Sequence, residues 1–191
     1  MNGNPFERIY KYNLWLTGSG TGSLPWNNRP YINFLKLIIT EYNPRTIIEI
    51  GCGDCRLWND IPYHGKYIGI DIVENKIPVG HKFHKDYIQM DILQKTIIDG
   101  MAGQEIDLVI IKDVLVHLPD TKVQRMLQKV QLLKPKYFLT VEDGHYLANK
   151  WNPREGSYRP MSISLRYPIV KQLEYYETTY LIWINFWISL A

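Results

Sequence analysis

Two hydrophobic periods organise the chain. Tyr31, Ile32, Leu35, Ile38 and Ile39 recur at helical spacing, with Pro30 suited to a first turn and Asn43-Pro44 to an end. That pattern predicts a helix over Arg29 to Tyr42. Short β-branched runs bounded by turn residues predict strands at Thr46 to Ile50, Tyr67 to Asp71, about Tyr87 to Met90, Asp107 to Ile111 and Lys136 to Val141. A short helix is expected over Arg56 to Ile61. A longer one is expected over Asp120 to Leu133, with Val123, Met126, Leu127 and Val130 facing a core. Ile169 to Glu177 and Thr179 to Ser189 leave no room for a helix between them, so they are expected to pair antiparallel. Met1 to Leu24 shows no strong period. Ala148 to Leu165 is irregular, and loops of that length in a compact domain are usually functional lids.

The sharpest break in the pattern is where the first strand meets Gly51-Cys52-Gly53-Asp54. A strand running into Gly-x-Gly opens a nucleotide-binding βαβ unit, because backbone without Cβ lets a ligand approach closely. Asp71 follows Gly51 by twenty positions and closes the second strand, where an acid is placed to bond a ribose. The dinucleotide fingerprint asks for a third glycine, and Arg56 stands there instead. That glycine serves packing beside a pyrophosphate, so its loss suits a ligand with a ribose and no phosphate. S-adenosylmethionine is such a ligand. Asp91, ending the third strand, is placed to accept from the adenine amino group, with Ile72 and Ile92 on either side of the ring. The competing reading of Asp91 is a helix cap. A second glycine run, Gly18 to Ser23, reads either as a flexible linker or as a nest of N–H groups for a carboxylate.

Composition narrows the class. The chain has 191 residues, of which 46% are hydrophobic and 21% charged, as expected for one globular domain with a sizeable core. A net charge of +3 without a Lys/Arg block neither demands nor excludes nucleic acid. The N-terminus is polar, with no apolar signal region, and the apolar run Tyr180 to Ala191 is short for a span and broken by Asn185. No membrane role is expected, and a cytoplasmic location is the default. Cys52 and Cys55 form Cys-x-x-Cys, a redox spacing. They fall inside the glycine loop, where a small residue is simply tolerated. No second cysteine pair exists to complete a zinc site, so no metal is expected. His64, His81 and His84 read as surface or packing histidines.

Glu49 to Gly53 resembles motif I of the class I S-adenosylmethionine-dependent methyltransferases, and Asp71 their ribose-binding acid. The resemblance extends over nearly the whole chain, to a group of small, stand-alone members of that class. Its marks here are Ser19 to Ser23, Tyr31, Gly51 to Trp58, Tyr67 to Val73, Asp107 to Leu118 and the Tyr158-Arg159-Pro160 loop. It implies a single Rossmann-like, doubly wound α/β domain over residues 1–191. The sheet would have seven strands, mostly parallel with a C-terminal antiparallel hairpin, and residues 1–28 would form a lid. It also implies a cofactor set of Ser19, Gly20, Glu49, Gly51, Cys52, Gly53, Asp71, Ile72, Asp91, Ile92 and Lys112, with Tyr158 and Arg159 binding the substrate. Members often look like accessory enzymes of glycan or nucleotide-sugar pathways, which implies a sugar acceptor. This chain closes on an aromatic strand where they usually have a proline-rich end.

A hydroxyl acceptor has a high pKa and calls for a general base, most often histidine near neutral pH. His117 follows the fourth strand and is the first candidate, with Asp113 four residues earlier to orient it on a shared helical face. His145, after the fifth strand, is the second. The bland reading of His117 is packing at a helix start. Three rivals stand beside this one. A nicotinamide-dependent oxidoreductase lacks a Tyr-x-x-x-Lys pair here. A base-directed methyltransferase would carry Asn/Asp-Pro-Pro-Tyr/Phe where Lys112-Asp113-Val114-Leu115 stands. A cofactor-binding partner subunit without activity is the third.

Overall fold

A computed structural model describes residues 4–74, 86–93, 101, 104–143, 153–161, 169–177 and 180–188. His81, His84 and His145 lie outside them, as does much of the stretch read as a long irregular loop. Seven strands form one sheet: β1 Thr46–Ile50, β2 Lys66–Asp71, β3 Asp86–Gln89, β4 Leu108–Lys112, β5 Tyr137–Asp143, β6 Ile169–Glu177 and β7 Tyr180–Ile188. Their order is β3-β2-β1-β4-β5-β7-β6. The first five pair in parallel, and β7 runs antiparallel to both β5 and β6. This is the Rossmann-like doubly wound sheet with its terminal hairpin. Strand order reverses between β1 and β4, so the crevice at their carboxyl ends is where a ligand belongs.

Period-two alternation splits the strands' apolar residues between two cores. Ile47, Leu108, Ile110 and Leu139 face helix α2, Arg29–Tyr42, whose Tyr31, Ile32, Phe34, Leu35 and Ile38 are buried. Ile48, Ile50, Val109 and Ile111 face Val123, Met126 and Val130 of helix α3, Asp120–Leu133. Each fully buried Leu or Ile contributes about 1.5–3 kcal/mol, so the two faces fix the register of the parallel strands. Both helices end on a left-handed residue, Asn43 at φ 44° and Lys134 at φ 48°. Asp107 seals the base of the sheet, its Oδ2 accepting from the N–H groups of Arg45 at 2.9 Å and Thr46 at 3.1 Å.

Two boundaries differ from expectation. β5 runs two residues past Val141 because β7 keeps pairing with it through Asp143. A first helix, α1 over Pro5–Lys11, stands in a segment without period. Its seven residues bury only Ile9, too few for a stripe. Its signals are local instead: Asn4 Oδ1 accepts from Phe6 N–H at 3.0 Å, and Pro5 and Glu7 sit in the first turn.

Candidate functional site

The crevice at the strand ends is a cavity of about 1050 Å³, open mouth included. One end is built from the turn after β1 and the end of β2. Gly51 has φ 74°, and a Cβ there would stand 2.1 Å from Val114 Cγ2, so the position admits only glycine. Asp71 is 8% exposed and lines the cavity. Gly53 N–H donates to its Oδ2 at 2.9 Å and Val73 N–H to its Oδ1 at 3.0 Å. Burial pushes its pKa up, and these backbone donors pull it back. The loop and the second strand are thus joined through a carboxylate that lines the cavity. Glu49 supports them from beneath, its Oε2 accepting from Trp58 Nε1 and Tyr67 Oη, both at 2.5 Å.

Asp91, Ile72 and Ile92 line the same end, and Asp91 Oδ1 accepts from Leu93 N–H at 2.9 Å. Cys52 and Cys55 are free, buried thiols. A hydrogen bond from Cys55, and then burial, hold the Cys52 thiol well above its ordinary pKa. Both thiols lie in the cavity wall within the glycine loop. Among the described residues no cluster of His, Cys, Asp and Glu could hold a metal.

The N-terminal segment crosses over this end. Ser19 Oγ accepts from Tyr10 Oη at 3.0 Å and from Asp54 N–H at 3.1 Å. Lys112 is buried and donates to the Gly22 carbonyl at 2.7 Å while pairing with Asp113. Arg56 reaches the Thr17 carbonyl and pairs with Asp54. Gly22 and Ser23 line the cavity beside Ser19, and Gly20 does not. Gly20 packs instead against the Trp15 side chain, where a Cβ would stand 3.7 Å from it. The nest reading is also reduced, because Gly18 N–H is taken by Asn13 Oδ1 at 2.9 Å and Ser23 N–H by the Gly20 carbonyl at 3.1 Å.

The cavity wall also carries Phe6, Tyr10, Trp15, His117, Leu118 and Met126, and Tyr10 reaches from the glycine loop, through Ser19, to Trp15 beside His117. His117 sits in a single 3₁₀ turn, Leu115–His117, that follows β4. Asp113 has φ 54° and lies outside that turn, so the expected shared helical face does not form. Its carboxylate turns to Lys112, and the imidazole is oriented by other groups. His117 Nδ1 lies 3.1 Å from the Ser157 carbonyl, which can only accept, so Nδ1 carries the proton and Nε2 keeps its lone pair. Trp15 stacks on the ring at 4.8 Å and 30°. Burial lowers the pKa of His117 below its ordinary value, partly opposed by the Ser157 bond and by Asp113.

Residues 153–161 are stitched onto the same turn: Gly156 N–H donates to the His117 carbonyl and Arg159 N–H to the Val116 carbonyl, each at 3.0 Å. Neither Tyr158 nor Arg159 lines the cavity. Arg159 is buried, paired with Asp120 at the start of α3, and holds the loop down; Tyr158 stands 6.1 Å from the His117 ring, partly in solvent. The contacts to His117 that sequence reasoning did not foresee come from Trp15, with Tyr10 behind it, and from Ser157. Ser157 acts through its carbonyl, which no residue type announces.

The charge of the lining discriminates between ligands. Glu49, Asp54, Asp71, Asp91, Asp113 and Glu155 line the cavity against Arg56 and Lys112, and both cations are already paired with carboxylates. A pyrophosphate would meet net negative charge there, whereas the amino and sulfonium cations of S-adenosylmethionine would meet attraction. The residues therefore fit that cofactor.

Known proteins agree. Residues 48–139 match the family model of a methyltransferase domain. No curated protein sequence matches the chain. Among solved structures, magnesium protoporphyrin IX methyltransferase of Synechocystis PCC 6803, with bound S-adenosylhomocysteine, superposes with a TM-score of 0.64 at 12% identity, covering 97% of each chain. The 1,6-didemethyltoxoflavin-N1-methyltransferase of Burkholderia thailandensis gives 0.67 at 12%, covering 98% of this chain and 86% of its own. A SAM-dependent methyltransferase of Anabaena variabilis gives 0.64 at 14%, covering 99% and 96%. The fold is that of these methyltransferase structures, and residues 48–139 carry the methyltransferase-domain match. The chain is a transferase enzyme, and its cofactor is S-adenosylmethionine.

Proposed function

We propose that the enzyme O-methylates a small molecule, with a sugar or nucleotide-sugar hydroxyl as acceptor and His117 as general base. The observation that carries this reading is the Nδ1 bond of His117 to the Ser157 carbonyl, on the wall of the cavity that Asp71 also lines. It leaves the Nε2 lone pair as the base, and burial keeps the ring neutral near pH 7.

S-adenosylmethionine supplies a methyl group already activated on a sulfonium, so its departure needs no acid. Asp71 would hold the ribose hydroxyls, Asp91 the adenine amino group, and Ile72 and Ile92 the faces of the ring. Ser19, Gly22 and Ser23, with the segment 1–28 as a lid, would enclose the methionine end and exclude water. Lys112 then acts on the lid, through the Gly22 carbonyl. His117 Nε2 receives the acceptor's hydroxyl proton as the oxygen becomes nucleophilic. Alignment of the two substrates supplies much of the rest.

The flat faces of Trp15, Tyr10 and Phe6 support a ring-shaped acceptor. Two of the neighbours are named for ring-shaped small molecules, magnesium protoporphyrin IX and 1,6-didemethyltoxoflavin. The sugar itself rests on the family resemblance.

The test is transfer of isotope-labelled methyl to a panel of sugars, nucleotide sugars and phenols, with wild type and His117→Gln. Label in a sugar or nucleotide sugar, falling ~10²–10⁴-fold in the variant, supports the reading. Label only in protein or nucleic acid overturns the acceptor class, and equal rates remove His117 from the chemistry.

A further inference from the structure

The backbone around Trp15 is strained in a way the cofactor site does not require. Asn13 and Leu16 both sit in the left-handed region, at φ 49° and 67°, which disfavours residues with a Cβ. Asn13 braces this turn, its Nδ2 donating to the Leu16 carbonyl at 2.9 Å and its Oδ1 accepting from Gly18 N–H at 2.9 Å. The result is a segment that exposes Leu14 at 59% and Leu16 at 79% while the tryptophan between them turns inward. Phe6 and Tyr10 meet the indole edge to face at 6.2 Å each, and its face rests on His117. Three residues beyond Leu16, Ser19 bonds the glycine loop through Asp54 N–H. One strained turn therefore touches the cofactor loop with one end and the imidazole with the other.

We propose that Trp15 is a positioning residue that couples the cofactor loop to His117. The segment docks on the glycine loop through Ser19, and the docked segment seats Trp15 on the imidazole and keeps water from it. The catalytic meaning of this coupling rests on the reading of His117 as the base, while the coupling itself does not. Apolar side chains are exposed at Leu14 and Leu16 because the geometry that aims Trp15 inward leaves them no other place.

Other charged and titratable groups near the ring stay in place when Trp15 is cut back. Asp113 precedes it on its own loop and favours the charged ring, and Tyr158 faces it from residues 153–161. Tyr10 of α1 lines the same cavity, as does Glu155, whose charge is met by Lys122 of α3 at 2.5 Å. Removing the indole therefore changes chiefly the access of water.

The test is an NMR titration of the His117 ring in the full chain, assigned with His117→Gln, for wild type, Trp15→Ala and Trp15→Phe. Each is run with and without saturating S-adenosylhomocysteine. In Trp15→Ala the ring should titrate at higher pH than in wild type, and Trp15→Phe should restore most of the difference. S-adenosylhomocysteine should lower the wild-type titration point further and leave that of Trp15→Ala where it was. Should Trp15→Ala not fold, Ser19→Ala carries the same comparison, because it removes the segment's bond to Asp54 N–H of the glycine loop with the indole intact. One titration point shared by wild type and variants, or an equal response to the ligand in all, overturns the coupling. A coupled titration alongside undiminished turnover in His117→Gln leaves the coupling standing and ends the base reading alone.

Discussion

The two ends of the cavity are made differently. At the proposed cofactor end the core of the wall comes from short, local sequence, Glu49 to Arg56 in one turn and Asp71 at the end of the neighbouring strand, with Ser19 crossing over from the N-terminal segment. Backbone N–H groups hold the carboxylate, and glycines give the space. At the acceptor end, His117 is set by three pieces far apart in sequence: α1 with the turn at Trp15, the 3₁₀ turn after β4, and residues 153–161. A site that recognises one fixed cofactor can be written into a local motif. A site that recognises a variable acceptor is assembled from loops on the rigid sheet.

If the ends are separable in this way, variants should sort by end. The largest effect is expected at the acceptor end: His117→Ala should lower the single-turnover rate by ~10²–10⁴-fold while calorimetry shows nearly unchanged S-adenosylmethionine affinity. At the cofactor end, Gly51→Ala places a Cβ against Val114 at positive φ. It should cost about 2–5 kcal/mol in denaturant unfolding. Asp71→Ala should weaken the cofactor by about 1.5–3 kcal/mol with the fold retained, read by calorimetry.

Arg159→Met sharpens the comparison by correction, since this residue serves the scaffold of the acceptor end and not its chemistry. Its partner Asp120 has a carboxylate 54% exposed, so solvent takes over part of the bond. A loss of about 0.5–1.5 kcal/mol in thermal or urea unfolding is expected, with cofactor affinity unmoved.

The smallest effect is on stability against pH. The folded-state pKa of His117 is depressed below the ordinary 6.5, so unfolded chains bind this proton more readily. The stability that neutral His117 contributes is full above pH 6.5 and is lost as pH falls through the folded value. Melting temperature against pH should therefore drop more steeply on acidification for wild type than for His117→Gln. Parallel curves would show that the ring is not shielded.

The same contrast explains what the sequence disclosed. Strand positions, hairpin and glycine loop follow from period and spacing, because β-branched runs and Gly-x-Gly are dictated by local sterics, while the sheet arrangement comes from the family resemblance. Asp71 ends β2 as its spacing predicts, and Asp91 stands two residues past β3, both on the cavity wall. The acceptor end was legible only as a histidine after β4. Asp113 looked like its orienter by spacing, but the backbone turns left-handed there and hands the carboxylate to Lys112. The true orienter is a main-chain carbonyl forty residues away, at Ser157. Arg159 was implied as a ligand by the family resemblance of its Tyr158-Arg159-Pro160 loop, and its burial against Asp120 comes from tertiary packing alone. Helix α1 was not read from the sequence, because its seven residues are too few for a period.

The account turns on an acidic cavity built for a cationic, phosphate-free cofactor, and calorimetric titration of the wild-type chain with S-adenosylmethionine and, separately, with NAD tests this directly. Saturable one-to-one binding of S-adenosylmethionine with no heat from NAD at equal concentration is the predicted result. Binding of NAD in preference, or no binding of S-adenosylmethionine to folded protein, would contradict it.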